Sequence, residues 1–327
     1  MTKHGMMTKA QKDKLVKLYC ELQDEGHYYR SLNSFKKEQV KRGGYCADAP
    51  TEDQVEMWLR LLGGDGYNLV YLGAMLALQK DDMRYLDDAL YTATSMMQFA
   101  SMSSGYDHCI YAWNLLPVLL SANRFDDIKR IFPKENGLSK NGMRVLKLIT
   151  NLVMYLYYGE EEWRAEAVDE GRSFSKKAPI EQRAVVDGLL SLVDKDLDRF
   201  AVELDNICKG KRQARGYGDN KFTGRFPFFA LGLYNFARRL YGEEVENISL
   251  PDDAGALIEL HEYQKANDYA TGKNIADFKE SVPLLDVLLN IELPPMYLVY
   301  DKRYGYTDID RYKSDVTDIA LRNFVRD

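Results

Sequence analysis

The chain has 327 residues, 46% hydrophobic and 29% charged, with 12% aromatics and 9 Pro. That is enough apolar material for one large core, and all-helical stacks of this length form one body. A formal net charge of −6 weighs against a general DNA or RNA binder, which neutralises phosphate with Lys and Arg, and suits a basic partner.

Helical periodicity begins early. Leu15, Leu18, Tyr19 and Leu22 fall at i, i+3, i+4 and i+7, one face of a helix. Val55, Trp58, Leu59 and Leu62 do the same after Pro50, and Thr51-Glu52-Asp53-Gln54 spells a capping box. Further stripes follow at Val145, Leu148, Ile149 and Leu152, then at Val185, Gly188, Leu189 and Leu192, then at Leu197, Phe200, Ala201 and Leu204. The longest runs through Phe229, Gly232, Leu233, Phe236 and Leu240, and a weaker one through Val316, Ile319, Ala320 and Phe324. Pro117 sits inside an apolar run, where it removes the bond to the Trp113 carbonyl and predicts a kink. Residues 209–225 read as one long, polar, Gly-rich loop. Met296 to Tyr300 is the best strand candidate and stands alone.

Four segments share one grammar: an apolar helix, a tight polar turn and an acidic start to the next helix. They are 72–86, 115–131, 151–167 and 185–204, with Asp81, Asn123, Gly159 and Asp194 as turn markers. The markers are 42, 36 and 35 residues apart, the spacing of stacked helical hairpins. No tetratricopeptide consensus is present. The expectation is an all-α fold, an irregular α-solenoid or bundle of stacked antiparallel helical hairpins. It forms a single domain over 1–327, with N-terminal helices at 1–66, hairpins at 67–251 and C-terminal helices and tail at 252–327.

Motifs for chemistry are thin. The four cysteines, Cys20, Cys46, Cys109 and Cys208, are widely spaced and read as reduced thiols. The N-terminal residues lack a signal-peptide apolar run, and no stretch reaches the ~18 apolar residues of a membrane span, so the expectation is a soluble cytoplasmic protein. On that expectation the Asn247-Ile248-Ser249 sequon is chance. His261-Glu262 opens like a zinc-protease motif, but Lys265 stands where the second His is needed, so no metal is expected. Asp107-His108-Cys109 puts a thiol beside an imidazole in sequence, yet neighbouring helical positions diverge by about 100° and a core cysteine is the better reading. Gly216-Tyr217-Gly218 is too short for a dinucleotide fingerprint, and no cofactor is expected.

Two polar features remain. Lys209, Lys211, Arg212, Arg215, Lys221 and Arg225, interleaved with Tyr217, Phe222 and Phe226, have the make-up of a grip for single-stranded nucleic acid or an acidic partner. The preferred reading is a solvated connection. The turns supply Asp81, Asp82, Asp126, Asp127, Glu160, Glu161, Glu162, Asp194 and Asp196. Acids in a first helical turn answer the helix dipole, worth ~0.3–1 kcal/mol each, and that is the bland reading. If the hairpins stack in register, the same acids line one edge and form a partner-binding strip.

From about Ile110 to Pro251 the chain resembles the immunity protein 49 family of bacterial polymorphic-toxin systems. The resemblance is carried by Trp113-Asn114-Leu115-Leu116 and the Asn123-to-Asp127 turn, by Gly188 to Asp196, by Ala230 to Ala237, and by Tyr241-Gly242-Glu243-Glu244-Val245 leading to Ile248-Ser249-Leu250-Pro251. It implies a helical, cytoplasmic, non-enzymatic protein that binds and neutralises a cognate toxin, with no catalytic residues. The alternatives are a helical-repeat scaffold or adaptor with an unrelated protein partner, and an enzyme using carboxylates brought together by folding. No membrane or nucleic-acid partner is expected.

Overall fold

The apolar stripes turn inward. Val55, Trp58, Leu59 and Leu62 are all buried, as are Val145, Leu148, Ile149 and Leu152, and Phe229, Leu233 and Phe236. Each stripe makes a helix because its apolar positions repeat with the helical period, and each helix is held because that face leaves water. The computed structural model describes residues 6–24, 28–45, 47–101, 107–174, 177–215, 220–302 and 304–324.

The elements run α1 (Lys9–Asp24), α2 (Leu32–Gly44), α3 (Thr51–Leu61), α4 (Asp65–Lys80), α5 (Arg84–Ser101), α6 (Tyr111–Ser121), α7 (Ile128–Ile131), α8 (Arg144–Tyr158), α9 (Glu170–Arg172), α10 (Ile180–Val193), α11 (Leu197–Gln213), α12 (Phe228–Tyr241), α13 (Ala256–Ala266) and α14 (Pro283–Asn290). A two-stranded antiparallel ribbon, β1 (Leu298–Asp301) and β2 (Tyr304–Thr307), precedes α15 (Ile309–Phe324). One hydrophobic core extends from Leu15 on α1 to Ala320 on α15. The fold is all-α.

The hairpin reading holds fully for two of the four segments. α4 pairs with α5, and α10 with α11, as long antiparallel arms. After α6 and α8 the second arm is broken. Phe125–Asp127 forms a single 3₁₀ turn before α7, and Pro133 then ends that arm because it has no N–H to continue a helix. After α8 come a 3₁₀ turn, Glu161–Trp163, a π-turn, Ala165–Asp169, and the three-residue α9.

Each turn is made by one residue in the left-handed region. Asp81 has φ 54°, Asn123 φ 56° and Gly159 φ 68°, so three of the sequence markers are the residues that stop their helices. In the fourth turn Asp194 stays right-handed and the reversal passes to Lys195, φ 55°.

Three local expectations are corrected. α3 does begin at Thr51, but its cap is Pro50 with no side-chain bond, and Gln54 Nε2 turns outward to the Ala49 carbonyl at 2.8 Å. A reciprocal capping box forms instead at Ser31 and Ser34, opening α2. The strand candidate does not stand alone, since Tyr300 pairs with Gly305 across a tight turn that uses Lys302 at φ 57°. Residues 209–225 are not one loop: 209–213 are the last turn of α11, and Phe222 and Phe226 are fully buried. Tyr217 and the Gly216-Tyr217-Gly218 segment lie outside the described residues, as do His27 and Cys46.

Candidate functional site

Contacts link the four turns in series at one end of the stack. Gln264 on α13 reaches both Asp87, near the start of α5, and the Ser121 carbonyl, at the end of α6. Tyr157, at the end of α8, feels the charges of Asp126, Asp127 and Arg130 in the second turn and of Arg239 on α12. Tyr241, at the end of α12, donates to the Leu192 carbonyl at the end of α10 and feels Tyr155 on α8.

Most of the nine acids are engaged by the fold. Lys12 Nζ holds Asp81 at 2.5 Å and Glu259 at 2.6 Å, strapping α1 to the first turn and α13, and this holds the Asp81 carboxyl below its usual range. Asp82 accepts from the Arg84 backbone at 3.0 Å and ion-pairs with its side chain. Glu160 meets Lys134 at 2.5 Å and Asp194 meets Arg172 at 2.6 Å. Asp196 caps α11 by accepting from the Arg199 N–H at 3.0 Å. Asp127 is 4% exposed and lies between the Arg124 and Arg130 guanidiniums. It is therefore a member of the core and not of a docking strip, because a carboxylate enclosed by two cations cannot be offered to a third without uncovering a buried charge. Asp126, Glu161 and Glu162 remain exposed, Glu161 accepting a 3.0 Å bond from the Tyr155 hydroxyl. Glu243 and Glu244, just beyond α12, are exposed at the same end.

The other end of the stack carries a cleft of about 840 Å³. It opens where the N-terminal ends of α4, α6, α10 and α12 meet the C-terminal end of α11. Its floor is aromatic. Tyr67 and Tyr71 stack at 5.9 Å between centroids, and Trp113 lies on Phe229 at 4.9 Å. Phe226 and Phe228 stand behind Tyr71, each 6.3 Å from its ring. α11 closes on α10 because Gly210 has no side chain: a Cβ there would lie 2.7 Å from the Glu181 Cα. The rim carries Glu181, Lys211 and Arg215. The basic residues of 209–225 thus divide. Lys209 pairs with Asp205 and Arg212 with Asp253 at 2.5 Å, while Lys211 and Arg215 border the cleft. The sequence reading did not find this site. Its signal was the aromatic surplus at helix starts, Tyr67 and Tyr71 one turn apart and Phe226, Phe228 and Phe229 together.

The perturbed acids and thiols sit elsewhere. Burial raises the carboxyls of Asp87, Asp88 and Glu203, and none of the three lines the cleft. His108 is fully buried, which lowers its imidazole to about 4, and burial pushes the Cys109 thiol up to about 11. A neutral imidazole beside a protonated thiol is not an activated pair, so Cys109 is the core cysteine its sequence context suggested. His261 is packed 4.7 Å from the Tyr234 ring, and burial lowers it to about 4. Among the described residues no group of three His, Cys, Asp or Glu side chains could hold a metal ion. No described helix is long and apolar enough to cross a membrane.

Comparison of the chain with family models, curated proteins and solved structures finds no match.

Proposed function

We propose that the chain is a non-catalytic binding protein of the immunity type, which neutralises a basic toxin partner by covering its active face. The observation that carries this reading is the acidic end of the stack. Asp126 and Glu162 stay exposed there, Glu161 is exposed beside Arg164 at 3.8 Å, and Glu243 and Glu244 are exposed just beyond α12. A toxin that cuts nucleic acid presents a basic surface to a polyanionic substrate, and an acidic face is complementary to it. The helical stack suits such a role, since stacked hairpins expose broad faces while burying one core.

The test is co-expression with the product of the neighbouring gene, scoring growth and then co-purification. Rescue of growth with a stable complex supports the immunity reading. A complex without toxicity to relieve supports instead an adaptor with an unrelated partner. The absence of both binding and rescue overturns the reading.

A further inference from the structure

We infer that a second, polar cleft, between the tip of the β1–β2 ribbon and the loop before α8, is a small-molecule site for a phosphate monoester carried on a flat ring. The inference does not rest on the partner reading, because this cleft lies at the start of α8 and the acidic turn follows its other end.

The first feature is charge. The cleft has a volume of about 630 Å³, within the usual range for small-molecule sites, and is lined by Lys140, Asn141, Gly142, Tyr300, Lys302 and Tyr304. Two cations thus reach it from separate segments and no described carboxylate lines it, in a chain of net charge −6. Neither lysine forms an ion pair or hydrogen bond among the described residues. An ammonium is a compact point charge with three donors, not a planar fork. Two of them are best answered by one compact oxyanion that carries two charges, which a phosphate monoester does above its second pKa of ~6.

The second feature is the mounting of the loop that carries Lys140. The Ser139 N–H donates to Asn151 Oδ1 at 2.8 Å, and Asn151 Nδ2 returns a bond to the Ser139 carbonyl at 3.1 Å. The Ser139 hydroxyl donates to Asp107 at 2.6 Å, and the Cys109 thiol to the Asn141 carbonyl at 3.2 Å. Gly142, at φ 92°, closes the loop on Cys109, since a Cβ there would lie 2.6 Å from the thiol sulfur. Tyr300 feels the charge of Asp107, but that carboxylate is buried behind the loop and answered by the Ser139 hydroxyl and the Cys109 N–H.

The third is the ribbon tip. The Tyr300 hydroxyl donates to the Asn136 carbonyl at 3.2 Å, and a Cβ on Gly305 would meet its ring at 3.2 Å. The ring is therefore held in place and still 51% exposed, a surface on which a second ring can lie. Lys302 stands at φ 57°, where a tight turn between strands ordinarily places Asn, Asp or Gly. Backbone strain of this kind collects at ligand sites.

The full chain is titrated by calorimetry at pH 7.5 with phenyl phosphate, with phenyl sulfate, which keeps the ring and carries one charge less, and with inorganic phosphate. Phenyl phosphate should bind about tenfold more tightly than phenyl sulfate at low salt, the worth of one charged hydrogen bond, and the gap should narrow at high salt. Lys140→Ala with Lys302→Ala should weaken phenyl phosphate by about tenfold or more and leave the helical spectrum unchanged. Tyr300→Leu should weaken phenyl phosphate and not inorganic phosphate. Lys302→Gly separates binding from folding: it relieves the left-handed strain, so it should melt at or above the parent temperature while binding phenyl phosphate more weakly. The proposal is overturned if phenyl phosphate does not bind, if it binds no more tightly than phenyl sulfate, or if the double lysine variant binds it as tightly as the parent.

Discussion

Gln264 Nε2 donates a 2.7 Å hydrogen bond to Asp87 Oδ1, joining α13 to the start of α5 across the core. The same group reaches the Ser121 carbonyl at 2.8 Å, and Asn235 donates to Gln264 Oε1 at 3.1 Å. Four elements are thus tied by one buried network, whose only ionisable member is a carboxyl that is 4% exposed.

Burial raises the Asp87 carboxyl to about 6, against the opposing Gln264 bond, and the charge of Asp88 adds a smaller upward push. An unfolded Asp titrates near ~3.9. Between about 4 and 6 the folded state therefore binds more protons than the unfolded, and stability falls as pH rises through that window. Above it, the buried charge costs up to about 3 kcal/mol. Asp87→Asn keeps an acceptor for Gln264 without the charge. The variant should melt above the parent at pH 7.5 and level with it at pH 4. Parallel melting curves across that range would show that Asp87 is ionised without penalty.

Phe236 is fully buried on α12, 6.3 Å from the ring of Phe125 in the second turn. Phe236→Ala should cost ~3–5 kcal/mol in denaturant unfolding, by lost burial and the cavity left behind. A loss below about 1 kcal/mol would place α12 outside the core.

Gly73 sets the closeness of α4 and α5. An added Cβ would lie 2.7 Å from the Tyr85 carbonyl oxygen and overlap the Ala89 Cβ, so backbone and not a movable side-chain tip must give way. Gly73→Ala should destabilise by ~1–3 kcal/mol despite the better helix propensity of Ala. Stabilisation on calorimetry would mean that the hairpin opens at little cost.

The fold was legible where one helix face alone meets the core. The stripe Val55, Trp58, Leu59 and Leu62 and the turn residues Asp81, Asn123 and Gly159 read correctly because period and backbone conformation are local properties. The broken arms after α6 and α8 were not legible, since 3₁₀ and π turns spell much like α-helix over four or five residues. Nor was the fate of the acids. Asp126 and Asp127 are neighbours in sequence, yet one faces solvent and the other is enclosed by Arg124 and Arg130. That division depends on which arginines fold back onto the turn. The cleft was hidden for the same reason, because α4, α6, α10, α11 and α12 meet there from distant parts of the chain.

The division between Asp126 and Asp127 also makes the acidic end testable. Asp126→Lys, Glu161→Lys and Glu162→Lys together change three exposed carboxylates, of which Glu161 gives up its bond from the Tyr155 hydroxyl and its ion pair with Arg164. The triple variant should keep the helical spectrum and melt within a few degrees of the parent, as surface changes cost about 0.5 kcal/mol or less each. Its association with a basic partner should slow by about tenfold at low salt, since steering charges act chiefly on the on-rate. The difference should shrink toward 1 M salt, where the screening length falls to ~3 Å. Asp127→Asn is the control for misfolding. It takes the shared carboxylate from Arg124 and Arg130, although Arg130 keeps its pair with Glu292 and Arg124 its bonds to the Tyr91 carbonyl and Ser95, and it should cost ~1–3 kcal/mol, so any binding it loses is lost through the fold. If the triple variant instead associates as fast as the parent in low salt, Asp126, Glu161 and Glu162 serve only their own helix starts, and the partner meets another face.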